Sequence, residues 1–206
     1  MKNKASLLFG LIIFVLYTTN LSATTVDQEL DRIAGEVAGL KLGFGTYILG
    51  SSLNDSQKKM AARSPVDKAM QGTHKFQDGE VFVVVSSDNG IILGIYKEYP
   101  EATRKQMKSI IGDLMFRHGE PTAMAHDKIV YWTYNKSGKI SQDEFDFARQ
   151  SGGAESLVTV KLSSSGKIFT EKEEDNTISS VYVMITSDPL SKLFLAKGSS
   201  NKVTKK

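Results

Sequence analysis

The sequence contains no cysteine, and this absence removes several kinds of chemistry at once. The chain can form no disulfide, and it has no thiol nucleophile and no thiolate ligand for a metal. Histidine is also scarce, because His74, His118 and His126 are the only three, and no two of them have the helical or hairpin spacing of a zinc site. Stability must therefore come from packing and hydrogen bonds, and we expect no metal and no other cofactor.

Catalytic signatures are also missing. Serine is plentiful, but no Gly-x-Ser-x-Gly elbow is present. The densest group of carboxylates, Glu171 to Asp175, is typical of a solvated strand end. We therefore expect a protein without enzymatic activity. A hydrolase whose site is assembled from distant loops stays open, because catalytic triads are defined by geometry and not by spacing.

The only long apolar run lies at the N-terminus. Lys2 and Lys4 precede an apolar stretch from Leu7 to Tyr17, and Leu21-Ser22-Ala23 follows with small residues. This order is typical of a secretory signal peptide, so we predict a signal peptide at 1–23 and a periplasmic or secreted protein. A retained anchor is the alternative, although the run is shorter than the roughly 18 residues that span a bilayer.

Positive charge is concentrated at the C-terminus. Removing Lys2 and Lys4 leaves 24 basic and 23 acidic residues, a net charge of +1. Residues 189–206 carry five lysines and no acid, so the remaining 24–188 has a net charge of −4. We interpret 189–206 as a basic, solvated tail that could make a weak contact with an anionic membrane surface. No basic face is interleaved with aromatics, so we expect no nucleic-acid partner.

Hydrophobic periodicity predicts one α+β domain over 24–188. The predicted helices cover 24–40, 54–62 and 102–117, with a short apolar helix or extension over 188–195. The predicted strands cover 44–50, 81–85, 91–96, 129–134, 157–162, 168–169 and 178–185, whereas 64–78 is interpreted as irregular and 135–153 as a long loop carrying a helical turn. Asp88-Asn89-Gly90 predicts a hairpin turn, because Asn and Gly tolerate positive φ. Since hairpins dominate the connections, we expect a mainly antiparallel sheet with helices packed on one face.

One segment follows the pattern of a calcium-binding loop. In residues 133–144, Gly138 stands at the sharp turn, Ile140 at the apolar position and Glu144 at the bidentate position. The first position is Thr133, where the pattern requires Asp, so the segment lacks the anionic oxygens that a hard dication needs. A glycine-containing turn after a strand is the favoured interpretation, and ion or small-molecule binding remains an alternative function.

Aromatic residues in the strand at 129–134 are the candidate binding residues. Alternation places Trp132 and Tyr134 on one sheet face and Tyr131 on the other. If one face is uncovered, one of these sets is exposed, and exposed aromatics on a rigid sheet are typical of partner contacts. We therefore predict Trp132, Tyr134 and Tyr131 as binding residues. The alternative is that both sets are core or edge packing.

A short pattern in the middle of the chain resembles a known repeat. Leu114 to Pro121 ends a predicted helix with Gly-x-Pro, a strand with Tyr131-Trp132 follows, and Tyr47 to Ser52 precedes it. Over roughly 44–134 this resembles the repeat of the β-lactamase-inhibitor-like and outer-membrane-assembly lipoprotein families. The chain lacks the lipidated cysteine of the lipoproteins and the cysteine pairs of the inhibitors. The resemblance implies an antiparallel sheet with helices on one face and a protein-binding role.

Together these observations favour a non-enzymatic module that binds an envelope protein or assists envelope assembly.

Overall fold

The computed structural model describes residues 22–67, 69–151, 156–169 and 178–203. Five helices lie in these ranges: α1 Ser22–Gly39, α2 Asp55–Arg63, α3 Arg104–His118, α4 Gln142–Ser151 and α5 Asp188–Val203. The predicted signal peptide lies outside the described residues except for its last two positions. In the described parts of the chain, no helix is both long enough and apolar enough to cross a membrane.

Ten strands occupy the described ranges. They are β1 Gly43–Phe44, β2 Tyr47–Ile48, β3 Thr73–Asp78, β4 Val81–Ser86, β5 Ile92–Thr103, β6 Ala123–Ala125, β7 Ile129–Asn135, β8 Gly138–Lys139, β9 Val158–Ser164 and β10 Ile178–Thr186. Strands β1 and β2 form a small hairpin, and the other eight form one sheet with the order β3-β4-β5-β10-β9-β7-β6, in which β8 pairs with β7. Every pairing is antiparallel.

One face of the large sheet is buried beneath helices. Alternate positions of its strands point into the core: Phe76, Val83, Ile95, Val183, Ile185, Val160, Leu162, Val130 and Trp132. Helices α1, α2, α3 and α5 add side chains to the same cluster, among them Leu30, Val37, Ala61, Met107, Ile111, Leu114, Leu190 and Phe194. The fold is thus α+β, with a mainly antiparallel sheet and helices on one side, as predicted.

Local hydrogen bonds fix both ends of α3, and the predicted helix end before Gly119 is confirmed. Thr103 caps its start, because the Thr103 side chain accepts a hydrogen bond from the Gln106 backbone and the Gln106 side chain accepts one in return. At the other end, the Gly119 N–H donates to the Met115 carbonyl over 2.8 Å. Gly119 has a φ of 70°, which favours glycine. The hairpin turn before β5 is also confirmed, with Gly90 at φ 68°.

Several predicted boundaries are wrong, mostly where a segment is polar or short. The range 44–50 contains two strands joined by a turn at Gly45, which has a φ of 60°. The predicted irregular segment at 64–78 contains β3, and the predicted long loop with a helical turn at 135–153 contains β8 and the longer helix α4. Edge strand β3 was missed because Phe76 is its only buried residue. Ile168 and Phe169 form no strand, because β9 pairs instead with β10.

The C-terminal segment is a helix packed on α1, and its prediction as a solvated tail is wrong for the described part. Helix α5 extends to Val203 and contacts α1. The Lys197 ammonium lies 3.1 Å from an Asp27 carboxylate oxygen and 3.7 Å from one of Asp88, and the Lys197 side chain is only 22% exposed. Lys197 therefore joins α5 to α1 and to the β4–β5 turn, and the hydrogen bond with Asp27 raises the pKa of Lys197.

We predict that Lys197→Met lowers the free energy of unfolding by about 1 kcal/mol, because two ion pairs are lost while the aliphatic stem is retained. Urea denaturation measures the change. Lys192→Met is the matched control, since Lys192 is an exposed lysine of the same helix. The difference between the variants should shrink in 1 M salt. Equal effects of both substitutions at low salt would contradict the role given to Lys197.

Candidate functional site: the open face of the sheet

The second face of the large sheet has no helix packed against most of its area. We call it the open face and define it by these half-buried residues: Lys75, Gln77, Phe82, Val84, Gly94, Tyr96, Glu98, Tyr182, Met184, Thr159, Lys161, Ser163, Ile129 and Tyr131. None of its apolar side chains belongs to the core cluster. The apolar side chains of the open face are therefore partly in contact with solvent.

Strand register aligns the largest open-face side chains in one row. Across the sheet, the paired residues are Gln77, Phe82, Tyr96, Met184, Lys161, Tyr131 and Ala123. We call this set the central row. It crosses seven strands, which is about 29 Å at the usual strand spacing of about 4.8 Å. A row of mainly aromatic and apolar side chains, interrupted by Lys161, thus runs perpendicular to the strands.

An aromatic stack stands at the β4–β5 end of the central row. The rings of Phe82 and Tyr96 lie 4.7 Å apart between centroids, with only 7° between their planes. The Lys75 ammonium lies 5.2 Å from the centroid of each ring. Such a cation–π contact contributes about 0.5–1 kcal/mol at an exposed site. Lys75 is therefore held over the rings, with its charge at the surface.

A second lysine and a carboxylate continue the pattern across the sheet. The Lys161 ammonium lies 5.7 Å from the centroid of the Tyr131 ring. In the neighbouring row, the Tyr182 hydroxyl donates to the Glu98 carboxylate over 3.0 Å, and this hydrogen bond raises the pKa of Tyr182. The open face thus combines aromatic rings with two positive charges and one hydrogen-bonded negative charge.

The structure divides the three predicted binding residues between the two faces. Trp132 is fully buried, and its indole N–H donates to the Gly119 carbonyl over 2.8 Å. Tyr134 is also buried, with 9% of its surface exposed. Tyr131 lies in the central row of the open face. The buried pair is not available for contact in this conformation, and a binding role for Tyr131 stays a prediction.

The buried aromatics form a polar cluster with the end of α3. His118 Nδ1 and the Tyr134 hydroxyl share a hydrogen bond of 2.8 Å, and the His118 ring lies 5.9 Å from the Trp132 ring. Burial lowers the pKa of His118, and the charges of Arg117 and Lys139 lower it further. Burial also raises the pKa of Tyr134 to about 12. Both groups are therefore neutral near pH 7, and the cluster stabilises the core.

A groove of about 590 Å³ lies between β6 and the start of α4, lined by Glu120, Pro121, Ala123, Met124, Lys139, Ser141, Gln142 and Glu144. Two of its three charged side chains, Lys139 and Glu144, already have partners. The Lys139 ammonium donates to the Glu120 carbonyl over 2.6 Å, and the Glu144 carboxylate accepts from the Ser141 N–H over 2.7 Å. That backbone hydrogen bond lowers the pKa of Glu144. Fewer polar side chains are therefore free to bind a ligand in this groove than the list of its lining residues indicates.

The calcium-like segment folds as a hairpin followed by a helix start. The Asn135 side-chain oxygen accepts from the Ser137 N–H, and the Ile140 N–H donates to the Thr133 carbonyl. The side-chain oxygens of Asn135 and Glu144, which the calcium pattern would use as ligands, thus already accept hydrogen bonds from backbone N–H groups. In residues 22–67, 69–151, 156–169 and 178–203, no three His, Asp or Glu side chains are grouped closely enough to hold a metal ion. The acidic cluster at 171–175 lies outside these ranges.

The sequence interpretation missed the aromatic stack. The run from Val81 to Val85 is predicted as a strand, and the structure places its Phe82 half-buried on the open face. The hairpin turn alone does not place Phe82 opposite Tyr96, because the register between β4 and β5 shifts between Val84 and Val85, on the turn side of this pair.

We predict that Trp132→Ala lowers the free energy of unfolding by about 3–5 kcal/mol, because a large buried side chain and its hydrogen bond are lost. Tyr131→Ala, the adjacent aromatic on the open face, should cost about 1 kcal/mol or less. Chemical denaturation of both variants measures the contrast. Similar losses for the two variants would show that both faces of β7 are packed alike.

We predict that His118 makes the folded chain less stable in mild acid. The pKa of His118 is lower in the folded state than its unfolded value of about 6.5, so the unfolded chain binds the proton first. The stability that neutral His118 provides is complete above the unfolded pKa and is lost as the pH falls toward the folded pKa. In His118→Gln, the free energy of unfolding should therefore vary less between about pH 7.5 and 5. Parallel wild-type and variant profiles would contradict the assignment.

Comparison with known proteins assigns no role to the open face, so its function is inferred from its own residues. No protein-family model, no curated protein and no solved structure matches this chain.

Proposed function

We propose that the chain is a periplasmic or secreted, non-enzymatic module that binds another envelope protein through the open face. The central row is the observation that carries this proposal. Its aromatic and apolar side chains contribute nothing to the core cluster, although they come from the same strands as the core. A solvent-facing apolar patch of this extent is typical of an interaction site.

The composition of the open face matches that of protein interfaces. Tyrosine, phenylalanine and methionine are enriched at such interfaces, and the first two are common binding anchors. Phe82, Tyr96, Tyr131 and Tyr182 are spread over four strands of the same face. A row of about 29 Å also matches the width of a standard interface, which covers about 800 Å² on each partner.

The state of the polar groups favours binding over catalysis. Glu98 accepts a hydrogen bond from Tyr182, and Lys75 and Lys161 rest on aromatic rings. These arrangements fix side chains in place on paired strands, which lowers the entropy lost when a partner is bound. A rigid, preordered surface of this kind suits recognition.

The predicted location supports an envelope partner. A signal peptide at 1–23 would take the chain out of the cytoplasm, where partners are exported proteins. Lysines of the C-terminal segment are a weaker candidate surface, because Lys197 is already paired within the fold. The proposal therefore concerns the open face alone.

Site-specific photo-crosslinking in intact cells tests the proposal. Met184 stands at the centre of the open face and is replaced by p-benzoyl-phenylalanine. Phe116 is the matched control, because it is 92% exposed on α3. We expect one dominant protein adduct from position 184 and none of that mass from position 116.

The yield of the adduct must also depend on the aromatic side chains of the central row. We predict that adding Tyr96→Ser and Tyr131→Ser reduces the adduct from position 184 at least fivefold, while thermal denaturation shows a folded chain. An adduct of equal yield from positions 184 and 116, or one unchanged by the double substitution, would overturn the proposal.

A further inference from the structure

We propose that the open face recognises an acidic protein surface, with Lys75 and Lys161 as its two charge-recognition groups. This inference rests on the proposed function and adds the chemistry of the partner. It is carried by the charges of the open face and by the way in which its rings hold the two ammonium groups.

The open face has an excess of positive charge. Its ionisable groups are Lys75, Lys161 and Glu98, apart from tyrosine hydroxyls. Within the described residues, neither ammonium lies at ion-pair distance from a carboxylate. Glu98, in contrast, accepts the Tyr182 hydroxyl hydrogen bond. Among the residues that the structure describes, the two lysines thus have no carboxylate partner, whereas the one carboxylate of the open face accepts a hydrogen bond.

The two ammonium groups occupy fixed positions at separate places on the open face. Lys75 lies on β3 over the Phe82–Tyr96 stack, and Lys161 lies on β9 over Tyr131. Four strand spacings separate β3 from β9, so the backbones of the two lysines lie about 19 Å apart across the strands. The Phe82–Tyr96 stack lies beneath the Lys75 ammonium, and Met184 lies between this stack and Lys161 in the central row. The matching partner has two acidic groups at a similar separation with apolar side chains between them.

The rings keep the lysines ready for a carboxylate. An ammonium over an aromatic face loses part of its hydration but gains no counter-charge. A partner carboxylate can then form a charge-assisted hydrogen bond with the exposed side of the ammonium. The aromatic surface beneath excludes water from the contact, which strengthens it.

Charge also favours an acidic protein over the two other possible occupants. A second copy of this chain would bring the same positive excess, so two open faces would meet with like net charge. Each lysine near an anionic membrane contributes only about 1 kcal/mol to the binding free energy. Stable attachment to a membrane therefore needs a larger basic cluster or a lipid anchor. Two lysines at separate positions with aromatic side chains around them are better matched by two discrete carboxylates than by a continuous lipid surface.

Two peptides of equal length test the inference by nuclear magnetic resonance. One alternates glutamate with tyrosine, and the other alternates lysine with tyrosine. Each is titrated into the isotope-labelled protein at low salt. We expect the acidic peptide to shift the amide signals of β4, β5, β9 and β10, and to bind at least tenfold more tightly than the basic peptide.

Charge variants assign that preference to the two lysines. Lys75→Gln with Lys161→Gln should weaken binding of the acidic peptide at least fivefold, and Lys75→Arg with Lys161→Arg should restore it. Lys105→Gln with Lys108→Gln is the matched control on the exposed side of α3 and should leave binding unchanged.

The outcomes separate this inference from the proposed function. Equal binding of both peptides at the open face would overturn the acidic preference and leave a protein-binding face. No binding of either peptide, or an equal loss in the α3 control, would also overturn it, whereas the photo-crosslinking result would still decide the proposed function. Lysine-dependent binding to phosphatidylglycerol vesicles without binding of the acidic peptide would assign the two lysines to a membrane instead.

Discussion

The pairing of β5 with β10 at the centre of the sheet is the constraint on which the rest of the structure depends. The sheet consists of two runs of hydrogen-bonded strands, β3-β4-β5 and β10-β9-β7-β6, and the β5–β10 pairing joins them. Tyr96 opposes Met184 and Ile95 opposes Ile185 in this pairing. Because side chains alternate between faces, a slip by one residue would turn the core positions of one run toward solvent. The same register therefore sets both the core and the central row.

The helices explain why the two faces differ. Helices α1, α2, α3 and α5 all contribute to one core cluster, and α5 lies along α1 beyond the end of β10. Lys197 links these two helices to the β4–β5 turn. With the helices gathered on one side, the opposite face keeps its strand side chains at the surface. The aromatic stack of Phe82 and Tyr96 is thus a consequence of helix placement as much as of strand sequence.

Much of the local structure could be predicted, and the exceptions have a common physical cause. The caps of α3 and the Asn89-Gly90 turn depend on neighbouring residues, so the sequence reveals them directly. Strand β3 has a single buried residue, and α4 is polar, so neither shows a clear hydrophobic period. For the candidate site, the alternation of side chains along β7 correctly places Tyr131 on one sheet face and Trp132 and Tyr134 on the other. The sequence pattern does not reveal which of these two faces the helices cover.

The sequence by itself determined the elements whose causes are local: the helix caps, the hairpin turn, the alternation within each strand and the absence of cysteine chemistry. The tertiary structure alone decided that Trp132 is buried and Tyr131 is half-exposed. It alone brought Lys75 onto Phe82 and Tyr96, because that contact requires three strands in register. Such contacts depend on which distant segments pair and on which face the helices pack, and no local pattern in one strand records either choice.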